Sequence, residues 1–321
     1  MSIGKLKQNI SKNDLLSHIN LITLILLIAV FYIINPSFLN NYNLKTLLIS
    51  MAPLLVMACG ATYVRLLGSL DLSMGAVCSC ANVLLVTLFP YTGFVSYIIV
   101  AIFGILSGLI LGFVHTRYKV PSFILSLGMM NVYSSIALLI MRAPVPVPKE
   151  ERYLIDWGKI SFGIFNLMTI MALIIMIIFY FIQKATPFGR SLNLIGANER
   201  AARISGVNIR KTKIIAFMMC GMTSAIAGMM LTAKLKSADP AGGNAYTLLA
   251  VASVLLGGTS MTGGTGSILK TLVGVSMVTI INNGMTIIGV DAFWSQIVFG
   301  SLILLSMVLT TDKKSRNLVV K

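Results

Sequence analysis

Two histidines and nine acids make up the general acid–base inventory of this 321-residue chain, and their spacing does not suit catalysis. His18 and His115 stand at the ends of apolar runs with no Asp or Cys at useful spacing, so a nucleophile, base and orienting acid cannot be assembled. Cys59, Cys78, Cys80 and Cys220 lie inside apolar stretches; without a CxxC or Cys/His spacing they read as small hydrophobes in packed helices. No metal site or bound cofactor is expected. The run Gly257-Gly258-Thr259-Ser260-Met261-Thr262-Gly263-Gly264-Thr265-Gly266-Ser267 looks like a phosphate cradle, yet it lacks the Lys before Ser or Thr that a P-loop requires. It reads as a tight re-entry in which glycines permit unusual backbone angles and close approach to other backbone.

The remaining polar residues suit passage of a solute better than its chemical conversion. Asp71 lies in Gly68-Ser69-Leu70-Asp71-Leu72-Ser73-Met74-Gly75, six residues after Arg65; on one continuous helix that spacing puts the two on different faces, so they could pair only across a break near Gly68. The segment is either a charged turn at the membrane interface or a buried gate, with Asp71 and Ser73 as its candidates. Asn282-Asn283-Gly284 sets two amides in an apolar run, where they must find partners on neighbouring helices or line a polar path. Gly257, Gly258 and Thr259 join them as path candidates. Gly104, Gly108 and Gly112 form a four-residue stripe that lets another helix approach closely, and Ser224 with Gly228 repeats the device.

The composition fixes the solvent around these groups. With 57% hydrophobic and 11% charged residues and a mean hydropathy of +0.91, the chain lacks the polar surface of a soluble domain and belongs in a bilayer. The net charge of +16 does not mark a nucleic-acid binder, because the basic residues fall in the gaps between apolar runs. Those runs cover 19–34, 47–67, 72–89, 94–114, 120–141, 162–182, 214–233, 246–257, 267–289 and 293–310. The expected fold is all-α and polytopic, about ten transmembrane helices, with the eighth run too short to cross and therefore broken or re-entrant; two pseudo-repeated halves are compatible with that count. The Lys5, Lys7 and Lys12 segment before the first run superficially resembles a signal peptide, but no small-residue cleavage site follows it.

A cytoplasmic N-terminus (1–18), a membrane domain (19–311) and a cytoplasmic tail (312–321) put most of the 25 Lys and Arg inside, leaving Lys45, Arg142, Lys149, Arg152, Lys159, Lys234 and Lys236 outside. The outer Ala143–Arg152 segment, with alternate prolines, is expected to be stiff and extended. The inner loop, 184–213, is the largest soluble piece. Within it Asn198 can cap a helix, Glu199 suits the first turn, and Gly206 can supply a left-handed stop, which predicts a two-turn helix over Glu199–Ser205. A helix this short must pack on something, either its own membrane domain or a partner, and Ala201 and Ala202 offer a flat surface to either.

Four motifs in this order resemble the membrane permeases of binding-protein-dependent ABC importers of the ribose, xylose and autoinducer-2 group. They are Leu70–Gly75, Gly196–Gly206, Leu256–Gly266 and Asn282–Gly284, and the similarity runs from about Pro36 to Asp312. The resemblance implies a ten-helix chain in a bacterial inner membrane that works as a dimer with a second copy or a paralogue. It also implies an external sugar-binding protein and a separate ATPase, docked through a short coupling helix onto which Gly196, Asn198, Glu199, Ala201, Ala202, Arg203, Ser205 and Gly206 map. Arg65 and Ser69 depart from that pattern, standing where such permeases usually have apolar and glycine residues. Permeases for nucleosides or branched-chain amino acids share the broader fold, and an ion-driven secondary transporter, which would need buried carboxylates, is the reading from another class.

Overall fold

In hydrocarbon a lone segment satisfies its backbone only as a helix, and the long runs of Leu, Ile, Met and Ala obey that demand. The computed structural model describes residues 20–291 together with Trp294, Ile297, Val298, Gly300 and Ser301. Its helices are α1 (Asn20–Ile34), α2 (Asn41–Leu66), α3 (Met74–Thr92), α4 (Val95–Tyr118), α5 (Ser122–Ile140), α6 (Leu167–Ala185), α7 (Pro187–Ala197), α8 (Glu199–Ile204), α9 (Ile209–Leu235), α10 (Asn244–Leu256) and α11 (Ile268–Ile287). Seven of these, α2 to α6, α9 and α11, are long and apolar enough to cross a membrane, while α1 and α10 are shorter. The tenth expected run falls largely outside the described residues, as do the segments 1–18 and 312–321 with Lys5, Lys7, Lys12 and His18.

Two boundaries differ from expectation. The sixth run begins in a β-hairpin, β2 (Ser161–Phe162) with β3 (Phe165–Asn166), and α6 starts only at Leu167, where the Asn166 side chain accepts a hydrogen bond from Met168 N at 2.8 Å. The 184–213 loop shrinks from both ends, because α6 continues to Ala185 and α9 starts at Ile209, capped by Asn208 accepting from Lys211 N at 3.0 Å. The Pro-rich outer segment is also only partly extended: β1 (Val145–Pro146) pairs antiparallel with β4 (Ser237–Ala238), and 3₁₀ turns follow at Lys149–Leu154 and Asp156–Lys159. Leu154 is buried, and Tyr97 pins these turns by donating to the Leu154 carbonyl at 2.8 Å and accepting from Trp157 Nε1 at 2.8 Å.

The bundle is organised around α9, which packs on α2, α3 and α4 through small residues. The Gly104, Gly108 and Gly112 stripe of α4 lies against it: a Cβ on Gly104 would sit 2.5 Å from Ala225 Cβ, and one on Gly112 would sit 2.9 Å from Ile214 Cα. Gly60 of α2 lets Cys220 approach, and Gly228 of α9 meets the Cys78 carbonyl of α3. Lipid tails are as apolar as leucine, so this backbone-level contact supplies the association energy that the hydrophobic effect does not. Ile98, Ile102, Leu139 and Ile177 on α4, α5 and α6 are exposed, as suits helices solvated by lipid.

Two segments leave the helical ladder inside the bundle, and side chains repair both. Between α2 and α3, Gly68 takes a φ of +74°, Leu70 N donates to Ser122 Oγ at 3.1 Å, and Asp71 Oδ1 accepts from Ser73 N at 2.8 Å and Ser73 Oγ at 2.6 Å. Between β4 and α10 the chain leans on α3: Asp239 N donates to Asn82 Oδ1 at 2.6 Å and Gly243 N to Ser79 Oγ at 2.9 Å. Gly75 N in turn donates to Thr247 Oγ1 at 2.8 Å.

Gly108 is the most demanding point of the α4–α9 contact, since a Cβ would stand 2.6 Å from the Phe217 carbonyl carbon and 2.7 Å from Met218 Cα, backbone atoms that no rotamer change relieves. Gly108→Ala is expected to destabilise the purified protein by about 1–3 kcal/mol, and Gly128→Ala, at an α5 position with nothing within 4 Å, is expected not to. Thermal unfolding of both variants in one detergent checks the difference.

Candidate functional site

Thr186 and Pro187 open α7 as cap and first-turn residue, with Thr186 Oγ1 accepting from Gly189 N at 3.2 Å. Leu192 and Ile195 bury its inner face. Asn198 then ends α7 and caps α8, its Oδ1 accepting from Ala201 N at 3.1 Å. The stop of α8 is a left-handed Gly206 at φ +80°, where Gly206 N donates to Arg203 O and Val207 N to Ala202 O, each at 3.1 Å. Glu199 ties α8 to α9 through Lys213 at 2.7 Å, with Arg203 at 3.6 Å.

The two alanines do not form one flat surface. Ala202 is 2% exposed, packed into this chain, whereas Ala201, Arg200, Arg203 and Ser205 face outward. The apolar group presented outward is Ile204, 89% exposed, which the sequence alone did not single out. Nor did it reveal α7, although Thr186-Pro187 is a helix-start signature.

Gly196, at the end of α7, touches the core. A side chain there would collide with the Leu66 carbonyl oxygen and Gly264 N, which are themselves hydrogen-bonded at 2.9 Å. A Cβ on Gly263 would be 2.8 Å from both Gly68 Cα and Leu66 O. Gln183 completes the junction, donating to Gly266 O at 3.0 Å and accepting from Ile268 N at 2.9 Å. Thus the end of α7, the end of α2 and the glycine-rich loop meet backbone to backbone. Gly258, Gly263 and Gly264 all have φ between +79° and +91°, Gly257 lies against the Lys270 carbonyl, and Thr259 is buried beside Gly266 with no partner for its hydroxyl.

Next to this junction lies a water-sized cavity of about 10 Å³ lined by Arg65, Ser69, Asp71 and Val254 among others. The break after Leu66 brings Arg65 and Asp71 to one cavity, and both are buried, at 8% and 4% exposure. They do not form an ion pair: none of the three among the described residues includes either. Arg65 Nε has no hydrogen-bond partner.

A larger cavity of about 280 Å³ opens at the other end of α2, between α2, α9, α10 and α11. Thr46, Ser50, Tyr246, Thr279, Asn282, Asn283 and Thr286 give it hydroxyls and amides, and Lys234 gives it one charge. Lys234 is thus not a loop residue but part of the last turn of α9, donating to Ser50 Oγ at 3.1 Å. The Asn282-Asn283-Gly284 motif divides its labour. Asn283 exchanges paired 2.9 Å hydrogen bonds with Asn43, which also donates to Phe38 O at 2.7 Å; Gly284 makes room for the Phe31 ring; Asn282 lines the cavity. Either Asn43→Ala or Asn283→Ala orphans the opposing amide, so the double variant should lose less stability than the sum of the singles, with a coupling of about 0.6 kcal/mol or more. A double-mutant cycle by thermal unfolding measures it.

The described residues contain no cluster of three or more His, Cys, Asp or Glu, and of the two cavities the larger has the room and the hydroxyl and amide lining to hold a small polar solute, whereas the smaller has room for one water. Residues 43–307 match the family model described as branched-chain amino acid transport system / permease component. The ribose import permease protein RbsC of Bacillus subtilis is 34% identical over 91% of this chain and 92% of its own length. The probable ABC transporter permease protein YphD of Escherichia coli is 31% identical over 97% and 95%. The galactose/methyl galactoside import permease protein MglC of Haemophilus influenzae is 31% identical over 94% and 96%. No solved structure matches. A multi-helix membrane chain with a solute-sized cavity lined by hydroxyls and amides and a match across most of its length is a member of the permease-component family of these transport systems.

Proposed function

We propose that this chain is half of the membrane pathway of a bacterial ABC sugar importer. It lies in the inner membrane as ten spans with both termini cytoplasmic and works as a dimer with a second copy or a paralogue. An external binding protein delivers a small polyhydroxylated solute to the larger cavity. A separate cytoplasmic ATPase binds and hydrolyses the ATP, so this chain carries no cofactor of its own. The observation that carries the reading is α8, a capped helix tied down by Ala202 and Glu199 that holds Ile204 almost fully exposed beside Arg200 and Arg203. An apolar residue so exposed is a natural anchor for a partner.

Transmission then follows the packing. Closure of the ATPases moves α8 and α7; Gly196 passes the displacement to Leu66 and Gly264; and the small cavity around Arg65 and Asp71 opens as the larger one shuts. Ribose and galactose in the names of the relatives point to a sugar.

Ile204→Asp is expected to abolish co-purification of the ATPase and to lower uptake about tenfold or more, with the permease itself as stable as before. Ala202→Arg acts differently, because its side chain would enter the core, and it should reduce the yield of folded permease. Pull-down with the ATPase, with thermal unfolding alongside, separates the two outcomes; normal ATPase capture by Ile204→Asp removes α8 from its role.

One observation favours the ion-driven alternative: Asp71 is a buried carboxylate beside a cavity. Uptake that survives deletion of the ATPase and collapses with an ionophore would establish that mechanism. Uptake lost with the ATPase and unaffected by the ionophore is the result expected here.

A further inference from the structure

Among the described residues, the larger cavity carries one fixed charge, and it is positive. Every other lining residue is neutral, so the Lys234 ammonium faces hydroxyls, amides and leucines without an acid on the wall. Of its three N–H donors, one reaches Ser50 Oγ at 3.1 Å; none of the three ion pairs among the described residues includes it. Lys234 is half-buried, and an ammonium partly withdrawn from water with no counter-charge carries a cost that an anionic ligand would offset.

The small cavity at the other end of α2 differs, because there a cation shares the lining with an acid, Asp71. Arg65, buried as a residue, lines that cavity with its Nε without a hydrogen-bond partner among the described residues, while the neighbouring Asp71 turns Oδ1 to Ser73. α2 walls both cavities, but only the larger one presents a cation with no acid among its lining residues.

We propose that the solute of this permease is a hydroxyl-rich anion, a sugar bearing a carboxylate or a phosphate ester, whose acid group is held by Lys234 in the larger cavity. The neutral lining residues, Thr46, Tyr246, Asn282 and Thr286 among them, serve the hydroxyls. Lys234 is thereby the residue that sets charge specificity. The proposal rests on the permease reading above and narrows its substrate class.

The test uses the full chain in nanodiscs with D-ribose, D-ribonate and D-ribose 5-phosphate as probes, read by ligand-observed NMR and thermal shift. At least one anion should bind about tenfold more tightly than ribose, and the advantage should shrink with added salt. The better anion of the two identifies carboxylate or phosphate as the acid group. Lys234→Met and Lys234→Gln should bring that anion to the level of ribose, and Lys234→Arg should keep the preference; unliganded melting temperatures show which variants are folded. Ribose binding as tightly as both anions, absence of binding by either anion, or an unchanged preference in folded Lys234→Met or Lys234→Gln overturns the proposal. ATPase capture through Ile204 judges the permease reading by itself, so the two can fail separately.

Discussion

Inside a bilayer a stray peptide group has no water to turn to, and each departure from helix has to be closed by protein. Much of this structure follows from that rule. The turn after α2, the re-entry before α10 and the glycine-rich loop after it are all non-helical, and each is bonded to a side chain or backbone group of another element: Ser122, Ser79, Asn82, Gln183 and Leu66 O. Breaks and polar side chains therefore occur together. Where they gather, cavities form that apolar side chains do not fill, at both ends of α2. The features that suit the chain to passing a solute and those that let it interrupt its helices are the same residues.

Local patterns carried much of this. Apolar runs marked the helices, and Asn198 with Gly206 marked the ends of α8, because caps act within a few residues and leave their mark in a short stretch of sequence. Direction was not legible. Ala201 and Ala202 are neighbours in sequence but lie about 100° apart around the helix, so one is buried and the other exposed, and only the rotation of α8 against its neighbours decides which. The same geometry separates Asn282 from Asn283. Lys234 looked like an outer-loop charge because apolar content falls near its position, yet α9 continues to Leu235, and its meeting with Ser50 joins residues 184 positions apart. Pro187 looked like the end of a span, although proline after a threonine opens a helix as readily as it closes one.

The basic excess also resolves into distinct uses. Around α8 and the start of α9, Glu199 holds Lys213 and Arg203, leaving Arg200 without an acid partner on a surface that also carries Ile204. Within the bundle, Lys234 lines a cavity without an acid among its described residues and Arg65 shares a smaller one with Asp71, the two separated by most of the length of α2. A net charge of +16 thus includes, beside its surface residues, Lys234 and Arg65, which line cavities.

The contact of Gly196 with Leu66 O and Gly264 N bears on how such a protein can be recombined. A backbone-to-backbone seat has no side chains with which to adjust, so α7 and α8 are not a detachable unit that could be exchanged alone. A hybrid carrying 187–206 from a different permease would need the matching turn after α2 and the matching glycine loop as well. Three stretches distant in sequence behave as one exchangeable module, and divergence in any of them constrains the other two.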